Sequence, residues 1–379
     1  MPDPDDADPA EAVQPLTEEE VQKNRKQARI ELIVMLAILF FIFVVFLPQF
    51  IDYGQVIDSM FQLTWPQIVV LAILGLVRTW FEAGVYNVLI PGLRWWDGWK
   101  AWASSNSVAF IAPPGVDLAI RYGMYRSVGI KGDAATGGII LSWFFTTGIK
   151  LIIPIFTLVL IVLGGIDDDL VVTVTLIGSG ALVGGILFIF LILYRETIAF
   201  RVGATMEKWY NSLLAGRWKF EPLSGFGDHL VAFRSEIIGT LRTRWFPATA
   251  VTLTSQVLFF FMLLLSLRFM GVTAEQAPWD VIFDAYAIGL LLSLIPIFPA
   301  GLGVVEVVYV GIIAGESGTD LANAVMAGAF VHRIFTWLLP ILVGLIPLST
   351  WRKQMRRAEK AGTPAAGSPA SHDDNPSDQ

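Results

Sequence analysis

Ser107–Gly115, SVAFIAPPG, and Ser293–Gly301, SLIPIFPAG, each set Pro-x-Gly in a stretch that is otherwise apolar enough to continue as a membrane helix. Proline removes a backbone donor and glycine adds freedom, so each stretch reads as a broken helix. Sliding the sequence 186 residues along itself superposes Pro113 on Pro299, Gly115 on Gly301, Gly129 on Gly315, Gly132 on Gly318 and Pro154 on Pro340. Matched apolar residues are cheap in such a chain, but Pro and Gly at equal spacings point to an internal duplication. The competing reading is that membrane helices simply tolerate Gly and Pro and kink there.

Around these breaks the chain is 379 residues long, 55% hydrophobic, with a mean hydropathy of +0.63. Several runs are long enough to cross a bilayer, which makes it an integral membrane protein and excludes a water-soluble globule. The formal charge of −7 is set by the termini. Residues 1–22 carry eight acids and residues 361–379 three, with no Lys or Arg in either, and the remainder has 26 bases against 22 acids. There is no cysteine, hence no disulfide and no thiolate chemistry.

Taken in order, residues 1–29 form an acidic, disordered leader that ends in Lys23, Arg25, Lys26 and Arg29. Ile30–Phe50 is the first span, too long for a cleaved signal, and its basic flank puts the N-terminus in the cytoplasm. Residues 51–64 form an external loop holding Asp52 and Asp58 and no base. Residues 65–90 return inward to Arg94 and Lys100, beside an interfacial belt of Trp95, Trp96, Trp99 and Trp102. The first break then turns the chain back, because a straight crossing would invert every later loop and put the eight bases from Arg195 to Arg244 outside. Residues 134–163 and 171–194 span, flanking the external Asp167, Asp168 and Asp169.

The segment from Arg195 to Arg244 is either one or two surface helices or a solvated connector. Residues 246–268 span outward. Residues 281–314 form the second hairpin, entering from outside, and residues 320–348 return to a basic cytoplasmic end at Arg352, Lys353, Arg356, Arg357 and Lys360. Residues 351–379 are basic and then disordered.

The expected fold is therefore all-α and polytopic. It has about six transmembrane helices plus two oppositely oriented re-entrant hairpins, an inverted repeat with a membrane body at 30–350 and both termini cytoplasmic at the cell membrane. In this arrangement 22 of the 26 bases are cytoplasmic. The other four, Arg78, Lys150, Arg268 and Arg333, lie within spans. Inverted units with broken helices are a construction of secondary transporters.

Charges inside a bilayer cost about 2.5–3.5 kcal/mol each on insertion scales, so they need partners or ligands. Arg78 and Glu82 are one helical turn apart and can pair within their helix or serve a ligand. Lys150 has no acid in its own span, and His332 with Arg333 sits in another. Glu306 and Asp117 follow the breaks within about a turn, where they either cap the helix or leave room for an anion at its N-terminus, opened by Gly115 or by Gly301 and Gly303. The basic excess favours membrane lipids with an anionic headgroup as partners, held by Arg78, Glu82, Lys150, Glu306 and Arg333. Three histidines without HExxH spacing, no Walker loop and no GxSxG give no case for a metal, a cofactor, a nucleotide or a catalytic residue, and nothing points to nucleic acid.

Pro299-Ala-Gly-Leu-Gly-Val-Val-Glu306, followed by Arg333-Ile-Phe-Thr-Trp-Leu-Leu-Pro340-Ile-Leu-Val-Gly344, resembles the lysylphosphatidylglycerol synthase transmembrane region family of flippase-like membrane proteins. The upstream PPGVDLAIRYGMYRSVGI resembles that family's first Pro-Gly segment, and the resemblance runs from about residue 30 to 350. It implies lipid translocation, with Pro299, Gly301, Gly303, Glu306, Arg333 and Pro340 as motif positions. Two-domain members add a soluble aminoacyltransferase, whereas here a short polar tail follows residue 350, so the resemblance argues against aminoacyl transfer by this chain. Val116–Asp117 with Arg121 departs from the family's first-unit pattern. Two alternatives stay open: a membrane-embedded enzyme modifying a lipid headgroup with Glu306 as acid or base, and a non-catalytic membrane partner of a separate transferase.

Overall fold

The computed structural model describes residues 52–109, 115–164, 180, 184, 195–211, 225–293, 301–315 and 318–360. The chain divides into two compact units, Met1–Phe50 and Ile51–Gln379, and every described residue belongs to the second. The expected spans 30–50 and 171–194, the leader, the tail, and Pro113, Pro114 and Pro299 lie outside the described residues.

Among the described residues all regular elements are helical. They are α1 (Tyr53–Phe61), α2 (Trp65–Leu89), α3 (Trp95–Asn106), α4 (Val116–Ser127), α5 (Gly132–Gly164), α6 (Glu196–Tyr210), α7 (Phe226–Phe269), α8 (Trp279–Ser293), α9 (Val304–Tyr309), α10 (Thr319–Arg333) and α11 (Leu339–Lys360). Short π-helical turns, Val310–Ala314 and Ile334–Leu338, extend α9 and join α10 to α11. Four stretches are long and apolar enough to cross a membrane: Trp65–Leu89, Gly132–Pro154, Arg242–Phe269 and Thr319–Arg357. They match four of the six expected spans.

Three local features add to the sequence reading. The external loop at 51–64 contains the helix α1, because Asp52 caps it by accepting from the Gly54 N–H at 2.8 Å. Asn323 fixes it to α10, accepting from the Asp52 N–H at 2.8 Å and donating to Gln55 at 2.7 Å. Among its described residues, the region from Arg195 to Arg244 holds one separate helix, α6. Its second half is the first part of α7, whose 44 residues span about 66 Å at 1.5 Å per residue and so overrun the bilayer core. The boundary at 350 falls inside continuous α11.

The helices α2 and α7 run antiparallel. Gly75 lies against Met262, Arg78 against Phe259 and Gly84 against Val251, and the Val88 carbonyl accepts from Arg244 at 2.7 Å. Partner numbers fall as those of α2 rise. Under the 186-residue shift α2 overlaps the apolar end of α7, so the two helices that the shift superposes point in opposite directions. The shift also carries α3 onto α8, α4 onto α9 with its π turn, and α5 onto α10–α11. Gly115 and Gly301 both take positive φ, 91° and 70°, as do Gly129 and Gly315, 86° and 49°, a conformation that only glycine adopts readily.

Each broken segment folds back on itself, α3 against α4 and α8 against α9. On the first hairpin Gly92, before α3, faces Ile130, after α4, and Trp351 of α11 donates to Ser127 at 3.2 Å. Its two ends therefore sit together where α2 finishes. On the second, Gly289 faces Val305 and Tyr309; before it Arg268, at the end of α7, donates to the Ala277 carbonyl at 2.7 Å, and after it Asn323 meets Asp52 and Gln55 ahead of α2. Its two ends sit where α2 begins. The halves interlock, α3 packing on α11 and α8 on α5.

A charged cavity between the hairpins

Arg78 and Glu82 occupy one face of α2 where it crosses α7. Burial leaves Arg78 7% exposed, and its guanidinium contacts the Glu82 carboxylate and stacks 4.4 Å from the Phe259 ring centroid. The contact is one of charge more than of aligned hydrogen bonding, for Arg78 Nε has no hydrogen-bond partner among the described residues. On its other side Phe259 meets His332, ring centroids 4.6 Å apart, with His332 Nε2 3.3 Å from the Phe259 carbonyl oxygen.

Glu306 enters from the tip of the second hairpin. It is 1% exposed, and both carboxylate oxygens are engaged: Oε2 accepts from the Gly303 N–H at 2.7 Å, Oε1 from Arg333 Nε at 2.6 Å. Capping and ion pairing thus coexist, and Glu306 itself fills the opening at the start of α9 that an external anion would have used. Gly303, at φ 82°, lets the backbone turn its N–H onto that carboxylate. Arg333 also lies over Trp337, 4.2 Å from the ring centroid, and its Nη2 reaches the Gly301 carbonyl at 3.4 Å. One arginine therefore ties the hairpin to α10.

A cavity of about 250 Å³ opens between these groups, lined by Arg78, Glu82, Lys150, Arg333 and His332 together with Trp102, Asn106, Gln256, Tyr309, Ser293, Thr336 and Trp337. Of the five headgroup candidates four line it, and Glu306 is one hydrogen bond away. Gly115 starts α4, and Gly301 and Gly303 precede α9. Lys150, on α5, is close enough to feel the charges of both Glu82 and Arg78, yet forms no hydrogen bond or ion pair among the described residues.

Arg121 goes elsewhere. It is buried between α4, α3 and α2, donating to Ser105 Oγ from Nε at 3.0 Å and from Nη2 at 2.6 Å, to the Tyr86 hydroxyl from Nη1, and stacking on the Tyr86 ring. It clamps the first hairpin to α2 as Arg333 clamps the second to α10, with hydroxyls in place of a carboxylate. Asp117 lies in the first turn of α4 and does not line the cavity.

The tryptophan belt divides. Trp95 and Trp96 are exposed as anchors, and Trp96 stacks on Trp99, whereas Trp102 is buried and faces the cavity. Sequence reasoning also passed over Asn106, Gln256 and Trp337. The signal for Gln256 was present, a lone amide in the apolar TLTSQVLFFFML. For Trp102 there was none, because which turn of α3 faces inward depends on α11. Ser107, one turn further on, donates to the Ile341 carbonyl at 2.9 Å.

One buried ion pair within a long apolar helix and a second joining the short helix α9 to α10, both beside one cavity, define a multi-pass helical membrane protein with charged groups in its interior. Over 85 residues, 22% of the chain, the sequence is 40% identical to a protein of Methanothermobacter thermautotrophicus named UPF0104 membrane protein, of which those residues make up 23%. The chain thus spans under a quarter of the length of the curated relative it matches. No protein-family model matches the chain.

Proposed function

We propose that the protein receives an anionic lipid headgroup in the cavity between its hairpins and helps that lipid change leaflets. The observation that carries this reading is the convergence of Arg78, Lys150 and Arg333 on one cavity. Three cations from three helices, at a membrane depth where each costs free energy, are retained where a negative ligand offsets them. The hairpins supply the route. In this reading they are re-entrant and enter from opposite faces, the first from the cytoplasm and the second from outside, as the positive-inside rule and the grouping of each hairpin's ends support. The resemblance to flippase-like proteins points the same way. A role for Glu306 as acid or base fits less well, since both of its oxygens are occupied.

The absence of cysteine makes the topology directly measurable. Asp133 and Thr319 are exposed and follow the first and second hairpins. An impermeant thiol reagent is expected to reach Asp133→Cys only from the cytoplasmic face and Thr319→Cys only from the opposite one; labelling of both from one face rejects the inverted arrangement.

Transport itself is tested in proteoliposomes by following a labelled phosphatidylglycerol between leaflets. The protein is expected to raise the exchange rate about tenfold or more over protein-free vesicles, a barrier change of about 1.4 kcal/mol. The combined Arg78→Gln, Lys150→Gln and Arg333→Gln variant, checked for monodispersity, is expected to return it to the vesicle rate. An unchanged rate in that variant counts against the cavity as the site.

A further inference from the structure

The charges around the cavity do not cancel. Arg78 pairs with Glu82 and Arg333 with Glu306, which leaves Lys150 as the cation without a carboxylate among the described residues. The other polar groups lining the cavity, Asn106, Gln256, Ser293, Tyr309 and Thr336, are neutral, as is His332 in this count. The undescribed hairpin tips cannot alter the balance: residues 110–114 read FIAPP and residues 294–300 read LIPIFPA, without an ionisable side chain. Counted over the described residues, Glu306 included, the site carries one net positive charge.

We infer that Lys150 is the group that receives the ligand's charge, and that the ligand's headgroup bears a single negative charge, as a phosphodiester does. This rests on the reading of the cavity as a headgroup site. A phosphodiester neutralises Lys150 and leaves both ion pairs intact. A phosphomonoester or diphosphate brings a second negative charge, which in a low-dielectric cavity has no cation left unless Glu82 or Glu306 is displaced from its arginine. A zwitterionic headgroup carries its own ammonium, which competes with Lys150 for the phosphate and brings a second positive charge into the cavity. The amides of Asn106 and Gln256 on the wall suit neutral hydroxyl or ester oxygens beside the phosphate.

The experiment titrates the purified full-length protein with three dioctanoyl lipids: phosphatidylglycerol, a phosphodiester monoanion; phosphatidylcholine, a zwitterion; and phosphatidic acid, a phosphomonoester that is nearly dianionic at pH 8. Emission of the tryptophans, of which Trp102 and Trp337 line the cavity, reports occupancy. The wild type is expected to bind phosphatidylglycerol about tenfold or more tighter than either other lipid, the ratio that one gained or missing buried ionic contact produces. Lys150→Gln is expected to abolish that preference, and Lys150→Arg, which keeps the charge, to retain it. Equal affinities in the wild type, tighter binding of phosphatidic acid, or a preference unchanged in Lys150→Gln overturns the assignment while leaving the cavity a lipid site. If none of the three lipids gives a saturable response in the wild type, the headgroup reading of the cavity fails instead. The wild-type rank order alone is decisive should the Gln variant not fold.

Discussion

Glu306→Gln or Arg333→Met alone is expected to cost about 3 to 5 kcal/mol of stability, the loss that follows when one member of a buried ion pair is removed and its partner stays behind. Glu306 is 1% exposed, so its carboxylate has no water to turn to once Arg333 is removed, whereas the Arg333 side chain, 15% exposed, is only partly shielded. The effect concentrates on one joint, because Glu306 also holds the Gly303 N–H and Arg333 also covers Trp337. Arg333→Lys should rescue little, since a lysine keeps the charge but loses the planar fork and the stacking. The double variant Glu306→Gln with Arg333→Met is the informative one. Removing both charges together removes the uncompensated desolvation, so it is expected to melt above either single variant in a detergent thermal unfolding series. Strictly additive losses would mean the two residues act independently and that Arg333 does not fasten the second hairpin to α10.

Gly344→Leu should be nearly as damaging at the other hairpin. A Cβ added at Gly344 would collide with the Ala103 carbonyl and the Ser107 hydroxyl, the first of them backbone that cannot rotate away. Overpacking of this kind costs about 1 to 3 kcal/mol in ordinary cores. Here it would also push α3 off α11, break the Ser107 to Ile341 hydrogen bond and carry Trp102 and Asn106 out of the cavity wall. Gly344→Ala is expected to give a smaller loss of the same sign. Gly148→Ala is the control: nothing lies within 4 Å of its added carbon, and alanine favours a helix over glycine by about 1 kcal/mol, so it should be neutral or stabilising. Fluorescence-detected size exclusion after a heating series distinguishes these outcomes. If Gly344→Leu melts like wild type, α3 is not seated on α11 through that glycine.

Both predictions concern the same design problem. Long apolar helices can be held in a bilayer by lipid alone, but a broken helix exposes backbone groups and must be fastened to protein. The chain does this twice with different chemistry. The first hairpin uses glycine contact and the Arg121 guanidinium on Tyr86 and Ser105; the second uses the Glu306 to Arg333 ion pair. Only the second fastening borders the cavity, so Arg333 both lines the cavity and attaches the hairpin there.

Much of this was legible in one dimension. Length and hydropathy located the four long apolar helices, and Pro and Gly located the breaks, because hydrophobic length and backbone freedom are properties of contiguous residues. The equal spacing of glycines in the two halves was visible, and their matching left-handed conformations at Gly115 and Gly301 follow from the same lack of a side chain. The intramembrane bases Arg78, Lys150 and Arg333 were visible as exceptions to an apolar pattern. Likewise, the Arg78 to Glu82 pair was readable because its members are one turn apart. What only the tertiary structure decided was who partners whom at long range. Glu306 with Arg333, Arg121 with Tyr86, Trp102 turned inward and Lys150 without a carboxylate among the described residues all depend on how each helix is rotated and where it crosses its neighbours. Crossing and rotation are set by contacts such as Gly75 on Met262 and Gly344 on Ala103, between residues that are hundreds of positions apart, and no local pattern encodes them.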